Sequence, residues 1–224
     1  IGDKIANART LLRRNLDGDE HAPALLRLSR LVDEALATAD APALLAVEGE
    51  AAKRSWALFS TLLARDDAFF AMSGRTRRPP KDATNAMLSF LAGMLVRDCV
   101  QAAANAGLDP LFGVYHTAHH GRPSMALDLM EPFRPLLVDS VVLGLVRRGE
   151  VTLKSFVDTG PSVVLQPDAR KTIVEAYERR AGELITHPVF GYRISYRQVL
   201  TIQARLLARV LTGEIERMPS FRTR

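Results

Sequence analysis

A histidine and two acidic residues lie close together near the middle of the chain and could bind a divalent cation. Asp128 and Glu131 are three residues apart, so on a helix their side chains project from the same face. Two neighbouring carboxylates need a counter-charge, and His116 in the preceding loop could add a nitrogen ligand to a cation that supplies it. This mixture of ligands is typical of Mg²⁺ or Mn²⁺ and lacks the thiolates of structural zinc. The alternative is that Asp128 is a solvated helix charge and that His119 and His120 are exposed loop residues.

A second acidic candidate lies earlier in the chain. Glu48 interrupts the apolar run over residues 43–47 and is followed by Gly49, with Ala51 and Ala52 one turn further on. Small residues beside a carboxylate permit the close approach of another helix or of a ligand. The alternative is that Glu48 is an ordinary solvent-facing residue of an amphipathic helix.

Arginine supplies most of the positive charge. The net charge is +5, and 25 of the 30 basic residues are arginine, whose planar guanidinium matches phosphate oxygens. This composition favours a nucleic-acid partner. Two sets of arginines are candidates for contact with a DNA backbone, a basic loop and a stripe on the last helix: Arg75, Arg77, Arg78, Arg197, Arg205 and Arg209. The alternative is that these arginines lie on solvated faces.

Helices must position most of these residues, because apolar residues recur at helical spacing along nearly the whole chain. Helices are predicted over residues 3–16, 25–36, 41–64, 82–106, 136–147, 169–186 and 196–212. The helix over residues 82–106 is apolar on every side and is therefore expected at the centre of the fold. Another helix begins at Met125, but Pro132 and Pro135 must kink or restart it, at a position that the pattern leaves open. Residues 155–157 and 162–165 flank a turn and predict a short β-hairpin.

Length and composition limit the class of protein. A chain of 224 residues with 47% hydrophobic residues is expected to fold as one domain. The single cysteine, Cys99, cannot form an internal disulfide, and no apolar run reaches the roughly 20 residues that a membrane span needs. We therefore expect a cytoplasmic protein with no membrane segment.

Several short segments also match one family in their order and separation. These are residues 4–7, Glu48-Gly49 with Ala51-Ala52, residues 77–90, residues 107–110 leading to His116, residues 121–135, and Val138-Asp139. In these segments the chain resembles the catalytic helical domain of the CRISPR-associated adaptation integrases, the Cas-one endonuclease family.

The resemblance implies which residues carry the chemistry. Glu48, His116 and Glu131 fall where the family binds its divalent metal, Mg²⁺ or Mn²⁺, and Asp128 matches an additional acidic catalytic position beside it. The implied reaction is attack of a DNA 3′-hydroxyl on a phosphodiester, which inserts new spacers into a CRISPR array. The DNA-binding residues expected from the loop and from the family motif are Arg75, Arg77, Arg78, Arg122 and Arg134.

The resemblance also implies a domain organisation and partners. We expect one helical catalytic domain over residues 1–224, with an N-terminal helical arm over 1–40 and a metal-dependent integrase core over 41–224. The predicted fold is mainly α with at most a short β-hairpin, without the β-sandwich that precedes this domain in the family. We therefore expect a fragment of a longer polypeptide, either an ordinary family member or one fused behind an upstream module.

The implied partners are prespacer and leader-repeat DNA, a second copy of the chain, and the small adaptation protein Cas-two. A non-catalytic helical DNA-binding or scaffolding module is the alternative function. A di-metal redox bundle is disfavoured, because the paired Glu-x-x-His motifs that it needs are absent from the sequence.

Overall fold

Helices form most of the protein. The computed structural model describes residues 1–223, and the α-helices in that range are α1 (Gly2–Arg13), α2 (Ala22–Ala37), α3 (Ala41–Asp66), α4 (Ala83–Asn105), α5 (Ser124–Met130), α6 (Ser140–Arg147), α7 (Pro167–Gly182) and α8 (Tyr196–Leu211). Two antiparallel hairpins complete it, β1 (Phe156–Asp158) with β2 (Val163–Leu165) and β3 (Leu184–Thr186) with β4 (Arg193–Ser195). The predicted mainly α fold is confirmed, and residues 1–223 contain no β-sandwich. The division into an arm and a core stays a prediction.

Aspartate caps fix the start of the two longest helices. Asp40 accepts a hydrogen bond from the amide of Ala43 at 2.8 Å, and Pro42 lies in the first turn of α3. Asp82 accepts one from the amide of Asn85 at 2.7 Å and begins α4 in the same way. Both helices therefore begin within one residue of the starts predicted from the sequence.

Helix α4 lies at the centre of the fold and contacts α5, α7 and α8. Among the described residues it is the one helix long and apolar enough to cross a membrane, but half of its most apolar window is buried inside the protein. Leu88, Leu91, Leu95 and Cys99 are all fully buried. This burial is typical of the central helix of a globular core.

The break that the prolines predict takes the form of two irregular helical segments. Helix α5 ends at Met130 and is followed by a 3₁₀ turn (Glu131–Phe133) and a π-helical segment (Arg134–Asp139) before α6 begins. Proline has no amide hydrogen and its ring crowds the preceding turn, so a continuous α-helix through Pro132 and Pro135 is unfavourable. The turn brings the Glu131 side chain inward, where it is buried.

The second hairpin corrects one predicted element. The helix expected to reach residue 186 ends at Gly182, and Leu184–Thr186 pairs with Arg193–Ser195 instead. A turn closed by His187 makes this possible: its amide donates to the carbonyl of Tyr192, and its carbonyl accepts from Gly191, whose φ is +75°. Apolar spacing continued past Gly182 and so predicted too long a helix.

The C-terminal tail packs onto α1. Asn7 is fully buried and donates to the carbonyls of Pro132 and Phe221, each at 2.9 Å, while its side-chain oxygen accepts from the amide of Thr223. The Phe221 ring is also fully buried and stacks on Phe133, with 5.1 Å between the ring centroids. Asn7 therefore connects α1, the 3₁₀ turn that carries Glu131, and the tail.

Candidate active site

Two acidic side chains from distant parts of the chain meet at one ammonium group. Glu48 lies in α3 and Glu131 in the 3₁₀ turn, and Lys4 of α1 lies between them. The Lys4 Nζ is 2.5 Å from Glu48 Oε1 and 2.5 Å from Glu131 Oε2. The side chain of Glu48 is 17% exposed, so Glu48 is not the solvent-facing residue of the alternative interpretation.

The surroundings of Glu131 favour its charged form. Burial by itself raises the pKa of this carboxyl, but the positive charges of Lys4 and Arg134 outweigh it and hold the pKa below its usual range. Its Oε2 atom is buried and makes no well-directed hydrogen bond, although the Lys4 charge is close. This oxygen is therefore an acceptor that a cation can use.

Tyr115 contacts the second oxygen of Glu48. Its hydroxyl donates to Glu48 Oε2 at 2.8 Å. Burial and this hydrogen bond to a carboxylate both raise the pKa of Tyr115. The phenol therefore stays protonated and orients Glu48 as a hydrogen-bond donor.

Asp128 holds His116 and the loop that carries it. The Nδ1 atom of His116 is 2.7 Å from Asp128 Oδ1, and this carboxylate also accepts from the backbone amides of Val114, Tyr115 and His116. Burial raises the pKa of Asp128, but these hydrogen bonds outweigh it, so the net shift is downward. With Nδ1 committed to Asp128, the Nε2 atom of His116 is the ring nitrogen left for a ligand.

Gly113 permits this tight loop. A Cβ atom at this position would lie 2.5 Å from the carbonyl oxygen of His116 and 2.9 Å from Asp128 Oδ2. Only a residue without a side chain fits there.

The Asp128 carboxylate is hydrogen-bonded to His116 and to the loop, so the alternative interpretation of Asp128 as a solvated helix charge is wrong. His119 and His120 are exposed, as that interpretation expected.

The donor atoms are chemically suited to Mg²⁺ or Mn²⁺. Glu48 and Glu131 offer carboxylate oxygens around one positive charge, and His116 offers an imidazole nitrogen whose ring is oriented by a carboxylate. Within residues 1–223, however, no three histidine, cysteine or acidic side chains are gathered as a ready set of ligands. The structure brings Glu48 and Glu131 together and pairs His116 with Asp128, so the ligand roles stay a prediction.

The predicted DNA-binding arginines occupy different environments. Arg75 hydrogen-bonds to Asn85 and Ser89, which ties the basic loop to α4, whereas Arg78 and Arg122 are exposed. Arg77 lines a cavity beside Glu48. Arg134 is only 8% exposed, and its Nη1 atom lies 4.0 Å from Glu131 Oε1. A phosphate could therefore contact Arg134 only from within the site.

Acidic side chains neutralise part of the positive charge of the arginine stripe on α8. Arg197 pairs with Glu178 at 2.8 Å and Arg209 with Glu214 at 3.0 Å. These ion pairs favour the interpretation of the stripe as a charged protein surface over direct DNA contact.

Sequence reasoning did not assign functions to Lys4, Tyr115 or Gly113. The segment over residues 4–7 was part of the family pattern, and Tyr115 adjoins His116, but neither observation indicated that both side chains contact Glu48. The local feature that could have indicated Gly113 is its position three residues before His116. The roles of Lys4 and Tyr115 depend on contacts between residues far apart in the chain.

The fold and the site together define a mainly helical domain in which two carboxylates surround one ammonium group and an aspartate fixes the ring of a histidine. A family model described as CRISPR associated protein Cas1 matches residues 1–179. The chain belongs to this family, which confirms the resemblance.

Two relatives and one solved structure illustrate the similarity. The chain is 47% identical to a CRISPR-associated exonuclease Cas4/endonuclease Cas1 fusion of Geobacter sulfurreducens, over 99% of this chain and 41% of that protein. It is 41% identical to the CRISPR-associated endonuclease Cas1 3 of Thermus thermophilus, over 99% of this chain and 64% of that protein. A chain of a partial Cas6-RT-Cas1–Cas2 complex superposes with a TM-score of 0.84 at 25% identity, over 98% of this chain and 65% of that one. The chain thus spans less than two thirds of each.

Proposed function

We propose that this chain is the catalytic domain of a CRISPR adaptation integrase, a divalent-metal-dependent DNA endonuclease and strand transferase. The observation that carries the proposal is the meeting of Glu48 and Glu131 at one positive charge, in a chain whose Asp128 orients the ring of His116. Family membership supports the nuclease activity, because curated relatives are named as Cas1 endonucleases.

In the proposed reaction a DNA 3′-hydroxyl attacks a phosphodiester of the CRISPR leader-repeat and displaces another 3′-oxygen. Mg²⁺ or Mn²⁺, when bound by Glu48, His116 and Glu131, would act as a Lewis acid that stabilises charge on the phosphate oxygens. Asp128 keeps the imidazole of His116 in one tautomer and orientation. Tyr115 fixes the Glu48 carboxylate, and Arg134 supplies a buried positive charge near the reacting phosphate.

The proposed partners follow from the same function. They are prespacer DNA, leader-repeat DNA, a second copy of the chain and the small Cas2-type protein, in line with the Cas1–Cas2 assembly to which the fold is similar. The exposed Arg78 and Arg122 are proposed to contact the DNA backbone. We also propose an upstream module fused to this domain, of the Cas4 type that the name of the Geobacter fusion gives.

A joining assay on the full-length protein tests the proposal. A labelled duplex with free 3′-hydroxyls is incubated with a plasmid that carries a leader and repeat, in the presence of Mg²⁺, Mn²⁺ or a chelator. We expect joining with either metal, loss of joining with chelator, and at least a ~100-fold loss on Glu131→Gln. Glu175→Gln, at an exposed position on α7, is the matched control and should keep full activity. DNA binding without metal-dependent joining or cleavage would favour the alternative, a non-catalytic DNA-binding module.

A further inference from the structure

The ammonium group of Lys4 occupies the place that a metal ion bound by Glu48 and Glu131 would need. It lies 2.5 Å from one oxygen of each carboxylate. Oxygen atoms bind Mg²⁺ at about 2.1 Å, so an ammonium and a metal ion cannot hold the same two oxygens together. If the metal binds as in the proposed function, Lys4 must move.

A cavity beside the site offers a place for the displaced group. It lies between α1 and α3, has a volume of about 80 Å³, and is lined by Lys4 itself, by Glu48, Trp56 and Arg77, and by Asp139. A group the size of a water molecule needs roughly 10 to 15 Å³ of such space, so an ammonium group fits in this cavity. Lys4 has a flexible four-carbon stem and itself lines the cavity, so rotation of its side chain can carry the ammonium group into this space.

Asp139 supplies an unused acceptor in the same cavity. The residue is buried in the π-helical segment, and its Oδ1 atom has no hydrogen-bond partner among the described residues. Burial raises the pKa of Asp139 to about 6, because the charges of Arg134, Lys4 and Arg75 offset the burial only in part. An approaching ammonium group would give this oxygen both a hydrogen bond and a counter-charge.

We propose that Lys4 is an exchangeable internal cation with two positions. Without metal, its ammonium group holds Glu48 and Glu131 together; when a divalent cation binds, the ammonium turns into the cavity toward Asp139. The proposal rests on the proposed function, because it concerns the same site. In both positions the ammonium group of Lys4 lies beside a carboxylate, so the exchange leaves no buried charge without a partner.

Direct metal binding to the full-length protein without DNA tests the first half of the exchange. Free Mn²⁺ is measured by electron paramagnetic resonance during a titration. Lys4→Gln removes the competing charge and should bind Mn²⁺ about tenfold more tightly than the parent, whereas Lys4→Arg keeps the charge and should show no gain. Lys53→Gln, at an exposed position on α3, makes the same change in net charge and should bind as the parent does. Equal or weaker binding by Lys4→Gln would overturn the proposal.

A double-mutant cycle tests the second half. Asp139→Asn removes the charged acceptor for the displaced ammonium and should weaken Mn²⁺ binding about fivefold. In a Lys4→Gln protein there is no ammonium group for Asp139 to bind, so Asp139→Asn should have little further effect on Mn²⁺ binding. An equal loss in both backgrounds would contradict the exchange. If Lys4→Gln does not fold, as judged by circular dichroism, Asp139→Asn alone decides: unchanged binding overturns the proposal.

The titration also separates this inference from the proposed function. If the parent protein binds no Mn²⁺, the metal-dependent function and the exchange both fail. If the parent binds Mn²⁺ and Lys4→Gln binds it equally well, only the exchange fails.

Discussion

The Nδ1 atom of His116 lies 2.7 Å from Oδ1 of Asp128, and the same carboxylate accepts three backbone amides of the loop that carries the histidine. One side chain in α5 therefore fixes both the ring orientation and the path of the loop. We therefore predict that Asp128 positions His116 and does not itself bind a metal ion.

Asp128→Asn should impair both folding and activity. Asparagine replaces one carboxylate oxygen by an NH₂ group. That donor would face either the backbone amides of Val114 and Tyr115 or the ring of His116, where the parent has an acceptor. We expect a loss of about 2 kcal/mol in the free energy of unfolding, and at least a tenfold loss in joining rate at saturating metal. Chemical denaturation and the joining assay measure the two effects. Asp33→Asn on an exposed face of α2 is the control, and full joining activity of Asp128→Asn would remove the positioning role.

Gly113→Ala should destabilise the loop. The added methyl group would lie 2.5 Å from the carbonyl oxygen of His116, and the surrounding backbone has little room to shift. We expect a loss of about 2 kcal/mol in the free energy of unfolding. Gly93→Ala offers a matched control, because it is exposed on α4 with no atom within 4 Å of the added Cβ. It should stabilise the protein by about 0.5 to 1 kcal/mol. Equal effects from both substitutions would contradict the crowding at residue 113.

Asn7→Ala should loosen the packing behind the site. The substitution leaves the carbonyl of Pro132, the carbonyl of Phe221 and the amide of Thr223 without their partner in a buried position. We expect a loss of about 3 kcal/mol in the free energy of unfolding, measured by urea denaturation. Asn105→Ala at the exposed end of α4 should change it by less than about 0.5 kcal/mol. A small effect at residue 7 would show that the tail does not depend on this side chain.

Asp139 should make stability depend on pH. Its pKa is about 6 in the folded protein, above the ordinary value of 3.8, so the folded state binds this proton more tightly than the unfolded state does. The resulting stabilisation is complete below about pH 4 and is lost as the pH rises through 6. A difference of roughly two pKa units corresponds to about 3 kcal/mol.

Urea denaturation between pH 4 and pH 7 tests this dependence. Asp139→Asn does not titrate, so its free energy of unfolding relative to the parent should increase by about 2 kcal/mol over that range. Every other titrating group is common to both proteins and largely cancels in the difference. A difference that stays constant with pH would show that the pKa of Asp139 is unperturbed.

The regular elements of the fold could be predicted from the sequence because their signals are local. Asp40 and Asp82 cap α3 and α4 through residues only three positions away, and the apolar periodicity of α4 indicates a central helix. The prolines at 132 and 135 predicted a break, but its form as a 3₁₀ turn and a π-helical segment depends on the packing of buried residues such as Phe133. The second hairpin was missed because its turn is closed by backbone bonds around His187.

The site could be predicted only in part, for the same reason. The sequence identified the acidic residues and the histidine, and the structure brings Glu48 to Glu131 and Asp128 to His116. It could not indicate Lys4, because a lysine on a short amphipathic helix has no local feature that distinguishes it from a surface residue. Contacts across 44 and 127 positions of the chain give Lys4 its place.

The hydrogen bonds from Asn7 to Pro132 and Phe221 join the first helix and the tail directly behind the buried Glu131. The Asn7 amide holds both the carbonyl of Pro132, the residue after Glu131, and the carbonyl of Phe221, so a displacement of the tail is passed to the turn that carries Glu131. Because the Phe221 ring is fully buried against Phe133, truncation of the chain before residue 221 would open a void beneath that turn and loosen the position of Glu131.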